Sequence, residues 1–157
     1  MQIYLIRHAH AGQRRSDRRD IYRPLSVDGS RRAEELVELF AGVAVDRLVS
    51  SPAVRCVQTL EPLGRARALP VTEHQSLWEG STTWDALAGL ATLEGEEIVA
   101  CSHGDIIPAV IDELGSQGVP VSGRGCELGS IWVLHRDREG AVWTRARYFS
   151  PKVTALR

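Results

Sequence analysis

Lysine is nearly missing from this chain: of its 19 basic residues only Lys152 is not arginine. The positive charge is therefore almost wholly guanidinium, a group suited to planar, bidentate recognition of phosphate, although a general bias toward arginine codons accounts for the same composition. Against 20 acidic residues the net charge is only −1, which gives no global drive toward nucleic acid polymers or anionic membranes. Cysteine is scarce as well. Cys56, Cys101 and Cys126 are odd in number, form no CxxC pair and stand at no cysteine–histidine spacing that resembles a zinc site. A reduced, cytoplasmic setting is the simplest expectation. No segment approaches the ~20 apolar residues of a membrane span. The sequence opens directly on the strand-length apolar run Gln2–Ile6, without a basic n-region and long apolar core, so neither export nor membrane insertion is expected.

Internal repeats, low-complexity tracts and linkers are lacking too. With 43% hydrophobic and 25% charged residues, the 157 residues read as one globular domain, 1–157. A chain of that size buries roughly two-thirds of the surface its unfolded form exposes and needs no staple.

What is present alternates between strand and helix signals, which predicts an α/β fold with a mostly parallel sheet. Residues 3–6 read as a buried first strand, followed by an arginine-rich polar loop from Gly12 to Pro24. Ser26 can cap a helix whose apolar residues Ala33, Leu36, Val37 and Phe40 recur at i, i+3, i+4 and i+7, with Gly42 as its stop. Arg47–Ser50 is a second strand, and Ser51-Pro52 is expected to open the next helix. Val71 begins a third strand. Trp84, Leu87 and Ala91 mark a helix after Thr82 or Thr83, and at that spacing Trp84 is better read as core than as a stacking platform. Glu97–Cys101 is a fourth strand, and Asp105 can cap a helix over 106–114. Gly123–Gly129 lacks any P-loop or dinucleotide spacing and reads as a connector. Ser130–His135 and Ala141–Phe149 form a terminal hairpin joined across Asp137–Gly140.

Three polar motifs stand directly after predicted strands. In an open α/β sheet, ligand sites lie beyond the carboxyl ends of the strands, so residues remote in sequence converge on one edge. His8, after Arg7, offers a neutral imidazole that can attack phosphorus and later leave, while the arginine neutralises developing charge. Arg55 falls in a first helical turn, where free N–H groups already favour anions and a guanidinium adds a bidentate clamp. His103, in Ser102-His103-Gly104-Asp105, can donate to a phosphoryl oxygen. Each also has a plain structural reading: a satisfied histidine, a surface arginine, a capped turn. A fourth element, Leu77-Trp78-Glu79-Gly80, offers a carboxyl group that could protonate a leaving oxygen and then activate water. Cys56 and Cys101 read as small buried hydrophobes. His10, His74 and His135 lack partner spacing that would make them metal ligands.

Together these segments make the chain resemble the histidine phosphatase superfamily, also called phosphoglycerate mutase-like. The resemblance runs from Ile3 to about Val133 and rests on Leu5–Ala9, Arg23–Gly29, Ser50–Thr59, Glu79 and Cys101–Gly104. It implies a three-layer α/β/α sandwich, a mostly parallel central sheet with a C-terminal hairpin, and no metal or other cofactor. His8 would be nucleophile, Arg7, Arg55 and His103 the phosphate pocket, and Glu79 the proton donor, with His103 also catalytic. Arg23 is implied to point inward and bind phosphate. Where many members carry Gly-Glu or Gly-Gln after the histidine, this chain has Ala9-His10.

Brevity and the Arg-Pro-Leu motif resemble the short bacterial branch, which includes phosphohistidine phosphatases acting on phosphorelay proteins and phosphatase domains fused to some Nudix hydrolases. The expected activity is phosphate release from a small organic phosphate, nucleotides included, through phospho-His8. The alternatives are a protein phosphohistidine phosphatase and a non-catalytic phosphate-binding module. Partners are thus a small phosphate or a phosphoprotein, with no nucleic acid polymer and no membrane. Arg14, Arg15, Arg18, Arg19 and Arg23 crowd the loop and would attract a polyanion, or else form a solvated face.

Overall fold

The computed structural model describes residues 1–137 and 142–156. The elements in chain order are β1 (Gln2–Arg7), α1 (Val27–Leu39), β2 (Arg47–Ser50), α2 (Val54–Arg67), β3 (Val71–Glu73), α3 (Thr83–Ala91), β4 (Glu97–Ser102), α4 (Ile106–Ser116), β5 (Val121–Ser122), β6 (Ile131–Arg136) and β7 (Trp143–Phe149). Single 3-10 turns occupy Asp20–Tyr22 and Gln75–Leu77.

One sheet carries all these strands in the order β3-β2-β4-β1-β6-β7-β5. Strands β1 to β4 pair in parallel, and β6 runs antiparallel to both β1 and β7. The pleat sorts side chains by period two. Ile3 and Leu5 of β1, with Ile98 and Ala100 of β4, face a core completed by α3 and α4. Tyr4 and Ile6, with Val99 and Cys101, face a second core built on α1 and α2. Such runs of apolar residues on both faces are what a parallel sheet covered on each side demands. Each buried aliphatic side chain contributes on the order of 1.5–3 kcal/mol. The expected three-layer sandwich with its C-terminal hairpin is the observed architecture.

Several local expectations shift. Helix α1 is capped by Ser26, whose hydroxyl accepts from Gly29 N at 3.1 Å. It ends at Leu39 with Phe40 as C-cap, ahead of Gly42, because Phe40 is pinned in the core against Tyr4. Helix α2 starts at Val54 after Ala53, not at Ser51-Pro52; the Ser51 hydroxyl accepts from Ala53 N at 3.3 Å and also meets His103 Nε2 at 2.7 Å. Asp105 precedes α4 without capping it; its carboxylate accepts from Gly80 N instead, at 2.8 Å. Trp84 is 68% exposed and takes no part in the core. The short strand β5, before the glycine-rich connector, has too little apolar pattern to be seen in sequence. Of the hairpin expectation, residues 138–140 of the connection and Ala141 lie outside the described residues.

The strand ends matter most for function. Ile6 pairs with Cys101 and Arg7 with Ser102, while Ser50 also pairs with Cys101. The carboxyl ends of β1, β2 and β4 therefore finish level at one edge.

Candidate active site

From that edge three side chains converge. His8 follows β1 and is held by its backbone N–H, which donates to Ser102 O at 3.0 Å. Its Nδ1 lies 2.8 Å from Ala9 O. A carbonyl only accepts, so Nδ1 carries the proton and Nε2 keeps the lone pair, facing the pocket. Burial, opposed by the bond to the Ala9 carbonyl and aided by the nearby charges of Arg55, His103 and Arg7, brings the His8 imidazole down to about 3. The ring is neutral at physiological pH, the state a nucleophile requires.

Arg55 stands in the first turn of α2 with its side chain wholly buried. Its Nε donates toward His8 Nε2 at 3.4 Å and its Nη2 lies 3.3 Å from His103 Nδ1. Nη1 donates to Asp20 O at 3.0 Å, and Nη2 also lies 3.2 Å from Glu79 Oε2 and from Asp20 Oδ2. A buried guanidinium is tolerable only with such pairing. An anion entering between His8 and His103 meets a cation already aimed at it.

His103 follows β4 and is buried, its ring edge-on to both His8 and Trp78 at centroid distances of 5.5 Å. Its Nε2 is 2.7 Å from Ser51 Oγ, which leaves Nδ1 turned to the pocket. Cys56 Sγ lies 3.6 Å from the same Nε2. Arg7 reaches across the strand ends, and Nη1 donates to Cys126 O at 2.6 Å. Gly104 is required here, because a Cβ would meet the Arg7 guanidinium carbon at 2.9 Å. The missing side chain at Gly104 thus makes room for Arg7.

Glu79 enters from the loop before α3 and pairs with both Arg55 and Arg14 at 3.2 Å. Arg23 turns inward as expected: Nε donates to Asp20 Oδ1 and Nη1 to Gly12 O, each at 2.9 Å. The cavity these residues line holds about 380 Å³ and also includes His10, Ala11, Asp105 and Leu128. Arg7, Arg14, Arg23 and Arg55 outnumber Glu79 and Asp105 there, so its field favours an anion. Among the described residues no group of three or more His, Cys, Asp or Glu side chains is arranged to hold a metal ion. Nor is any helix among them long and apolar enough to cross a membrane.

The structure brings His8, Arg7, Arg55, His103, Glu79 and Arg23 to one cavity. It adds roles for residues that sequence reasoning left without one, Asp20 and Ser51, and for Thr59, which stood in the Ser50–Thr59 motif. Asp20 faces three arginines; burial raises its carboxyl, but the Arg23 hydrogen bond and the charges of Arg55, Arg23 and Arg14 hold it below the ordinary range. Thr59 Oγ1 accepts from Ala9 N at 3.0 Å and fixes the turn after His8. Ser51 orients His103. Position one helical turn after Arg55 was a usable signal for Thr59; Asp20 and Ser51 offered none.

Comparison with known proteins agrees with this geometry. The sequence model of the histidine phosphatase superfamily (branch 1) matches residues 3–94. The chain is 30% identical over 157 residues to the 8-oxo-(d)GTP phosphatase of Mycolicibacterium smegmatis, covering 95% of this chain and 48% of that protein. It thus spans about half the length of that curated relative. Among solved structures, the protein histidine phosphatase SixA complexed with tungstate superposes with a TM-score of 0.75 at 22% identity, over 96% of this chain and 97% of that one. A Nakamurella multipartitia protein provisionally described as the phosphohistidine phosphatase SixA is 31% identical, with a TM-score of 0.66 over 85% and 83% of the two chains.

Proposed function

The chain belongs to branch 1 of the histidine phosphatase superfamily, a class of phosphoric ester hydrolases, and from that premise we propose that it releases phosphate from a small organic phosphate through a phosphoryl intermediate on His8. The observation that carries the reading is the buried Arg55 guanidinium, within 3.4 Å of His8 Nε2 and 3.3 Å of His103 Nδ1.

In the first step the His8 Nε2 lone pair attacks phosphorus as the bond to the leaving oxygen breaks. Glu79 gives that oxygen a proton. Arg7, Arg55 and His103 surround the other phosphoryl oxygens and balance their charge, where each such donor is worth about 10²–10³ in rate. In the second step water attacks phosphorus, Glu79 takes its proton, and the electron pair of the P–N bond returns to Nε2. Ala9 O holds the Nδ1 proton throughout, so Nε2 is the only ring nitrogen free to react.

Nucleotides are among the candidate substrates, since the M. smegmatis relative is named for one. A phosphohistidine on a partner protein is the second reading. It is favoured by the rim residue Arg14, whose side chain is 67% exposed and within reach of a large partner. Residues 1–157 are taken as one catalytic unit, and three free thiols fit a reducing, cytoplasmic setting.

The test is phosphate release, in EDTA, from sugar phosphates, nucleoside mono-, di- and triphosphates and a phosphohistidine protein, comparing wild type with His8→Ala. Selective release that disappears with His8, together with acid-labile labelling, is expected. Release that needs metal or survives the loss of His8 overturns the mechanism, and no release from any substrate points to a binding module.

A further inference from the structure

We infer that the substrate carries a second phosphate group, seated by Arg18, Arg19 and Arg23 in a cavity beside the phosphoryl pocket. This rests on the reading of His8 as phosphoryl acceptor and goes on to name the substrate class: an organic di- or triphosphate rather than a monoester.

The cavity holds about 500 Å³ and is built wholly from the loop 12–24. It adjoins the phosphoryl pocket, because Arg23 lines both. The dividing wall is Asp20, whose backbone carbonyl accepts from Arg55 at 3.0 Å while its carboxylate accepts from Arg23 at 2.9 Å. A phosphate next to the one held by Arg55 therefore comes up against Arg23 and the mouth of this second cavity.

The charges there are unevenly spent. Arg15 is committed to Asp17 through two bonds, 2.8 and 2.9 Å long. Arg23 is oriented by Asp20 and Gly12. Neither Arg18 nor Arg19 makes a side-chain hydrogen bond or ion pair among the described residues, although both line the cavity. Two guanidinium groups without counter-ions, next to a third already fixed in place, form a site for a multiply charged anion.

A solvated arginine loop is the bland account, and the loop's construction argues against it. Its ends are clamped by the Ala11–Leu25 bridge and by Gly12 N donating to Pro24 O at 3.2 Å. Arg23 ties it across to Gly12, and the 3-10 turn at Asp20–Tyr22 fixes its last stretch. The arginines are thus presented from a braced wall.

Two measurements test this. The first is kcat/KM for a nucleoside monophosphate and its matching di- and triphosphate, in wild type and in R18A/R19A. Wild type is expected to prefer the diphosphate over the monophosphate at least about tenfold, with a marked fall as salt rises. The double variant brings the diphosphate down to the monophosphate's rate and flattens the salt dependence, while the monophosphate rate stays put. Equal loss on both, no loss on either, or a wild-type preference for the phosphohistidine protein over all nucleotides overturns the inference. The second measurement needs no turnover: calorimetric titration of inorganic pyrophosphate and orthophosphate into His8→Ala protein. R18A/R19A on that background should weaken pyrophosphate by about tenfold and leave orthophosphate unchanged. Equal affinity for the two anions sinks the second site even if catalysis proceeds as proposed, and a pyrophosphate preference upholds it even if the enzyme reading fails.

Discussion

Ser51 Oγ stands 2.7 Å from His103 Nε2, and the two residues project from the level ends of neighbouring strands β2 and β4. Ser51 is wholly buried and His103 nearly so. The hydroxyl fixes the ring's facing, and so keeps Nδ1 on the cavity side. Ser51→Ala should therefore leave the fold intact yet lower kcat by about tenfold, because the buried ring nitrogen keeps only the weaker Cys56 Sγ partner at 3.6 Å. Steady-state kinetics with orthophosphate as competitive inhibitor checks this: the inhibition constant should weaken in parallel. An unchanged kcat would mean that the edge-on contacts with Trp78 and His8, with Cys56 and Arg55, hold the ring without Ser51.

His8 carries a pH signature. Its imidazole sits at about 3 in the fold, chiefly through burial, against about 6.5 in an unfolded chain. Between those values the unfolded state binds a proton that the native state does not. The stabilising contribution is therefore complete above about pH 6.5 and is lost as pH falls toward 3. In urea melts at pH 7 and pH 4.5, wild type should lose more stability than His8→Asn. The His8 ring proton resonance should also stay constant from pH 8 to pH 5. A titration near 6.5 would show that the ring is hydrated and the nucleophile partly protonated.

Much of this arrangement was legible in the sequence because strand periodicity is a local signal. The runs at β1, β2 and β4 place Arg7, His8, Arg55 and His103 just beyond strand ends, and the parallel order does the rest. What was not legible depends on tertiary partners. Ser51 and Asp105 look like helix caps, the commonest use of such residues before a helix. Here Ser51 accepts from Ala53 N but also meets His103, and Asp105 serves Gly80 N instead of its helix, across 52 and 25 positions. Trp84 fits an apolar helical stripe, yet it lies on the side of α3 that is largely exposed. Asp20 was lost among arginines in a loop without periodicity, and only the fold shows that two of them, Arg14 and Arg23, turn toward it together with Arg55 of α2.

Two glycines separate stability from activity. A Cβ at Gly29 would lie 1.9 Å from His10 O, a backbone atom that cannot swing aside. Gly29→Ala should cost about 1–3 kcal/mol, a fall in Tm of several degrees. A Cβ at Gly104 would instead meet the mobile end of Arg7, at 2.9 Å from Cζ and 3.0 Å from Nε and Nη2. Gly104→Ala should then melt close to wild type while kcat/KM drops, because the guanidinium must leave its seat on Cys126 O. Thermal melts and kinetics on the same preparations decide it. Intact activity in folded Gly104→Ala protein would remove Arg7 from the phosphate pocket.

Glu79 invites the sharpest test, because two roles are open to it. Its carboxylate lies 3.2 Å from Arg55 Nη2 and from Arg14 Nη2, so it could serve only to balance charge. Glu79→Gln keeps the shape and an accepting oxygen but can neither give nor take a proton. If Glu79 protonates the leaving oxygen, kcat/KM for an alkyl phosphate should fall by about 10²–10⁴, since an alkoxide leaves poorly without a proton. For 4-nitrophenyl phosphate, whose phenolate leaves unaided, formation of the phosphoenzyme should be far less affected. Water attack in the second step still lacks its base in this variant. A burst of nitrophenolate followed by slow turnover is then expected, with acid-labile phosphate accumulating on His8. Equal losses on both substrates, without a burst, would assign Glu79 to holding Arg55 and Arg14 in place rather than to proton transfer.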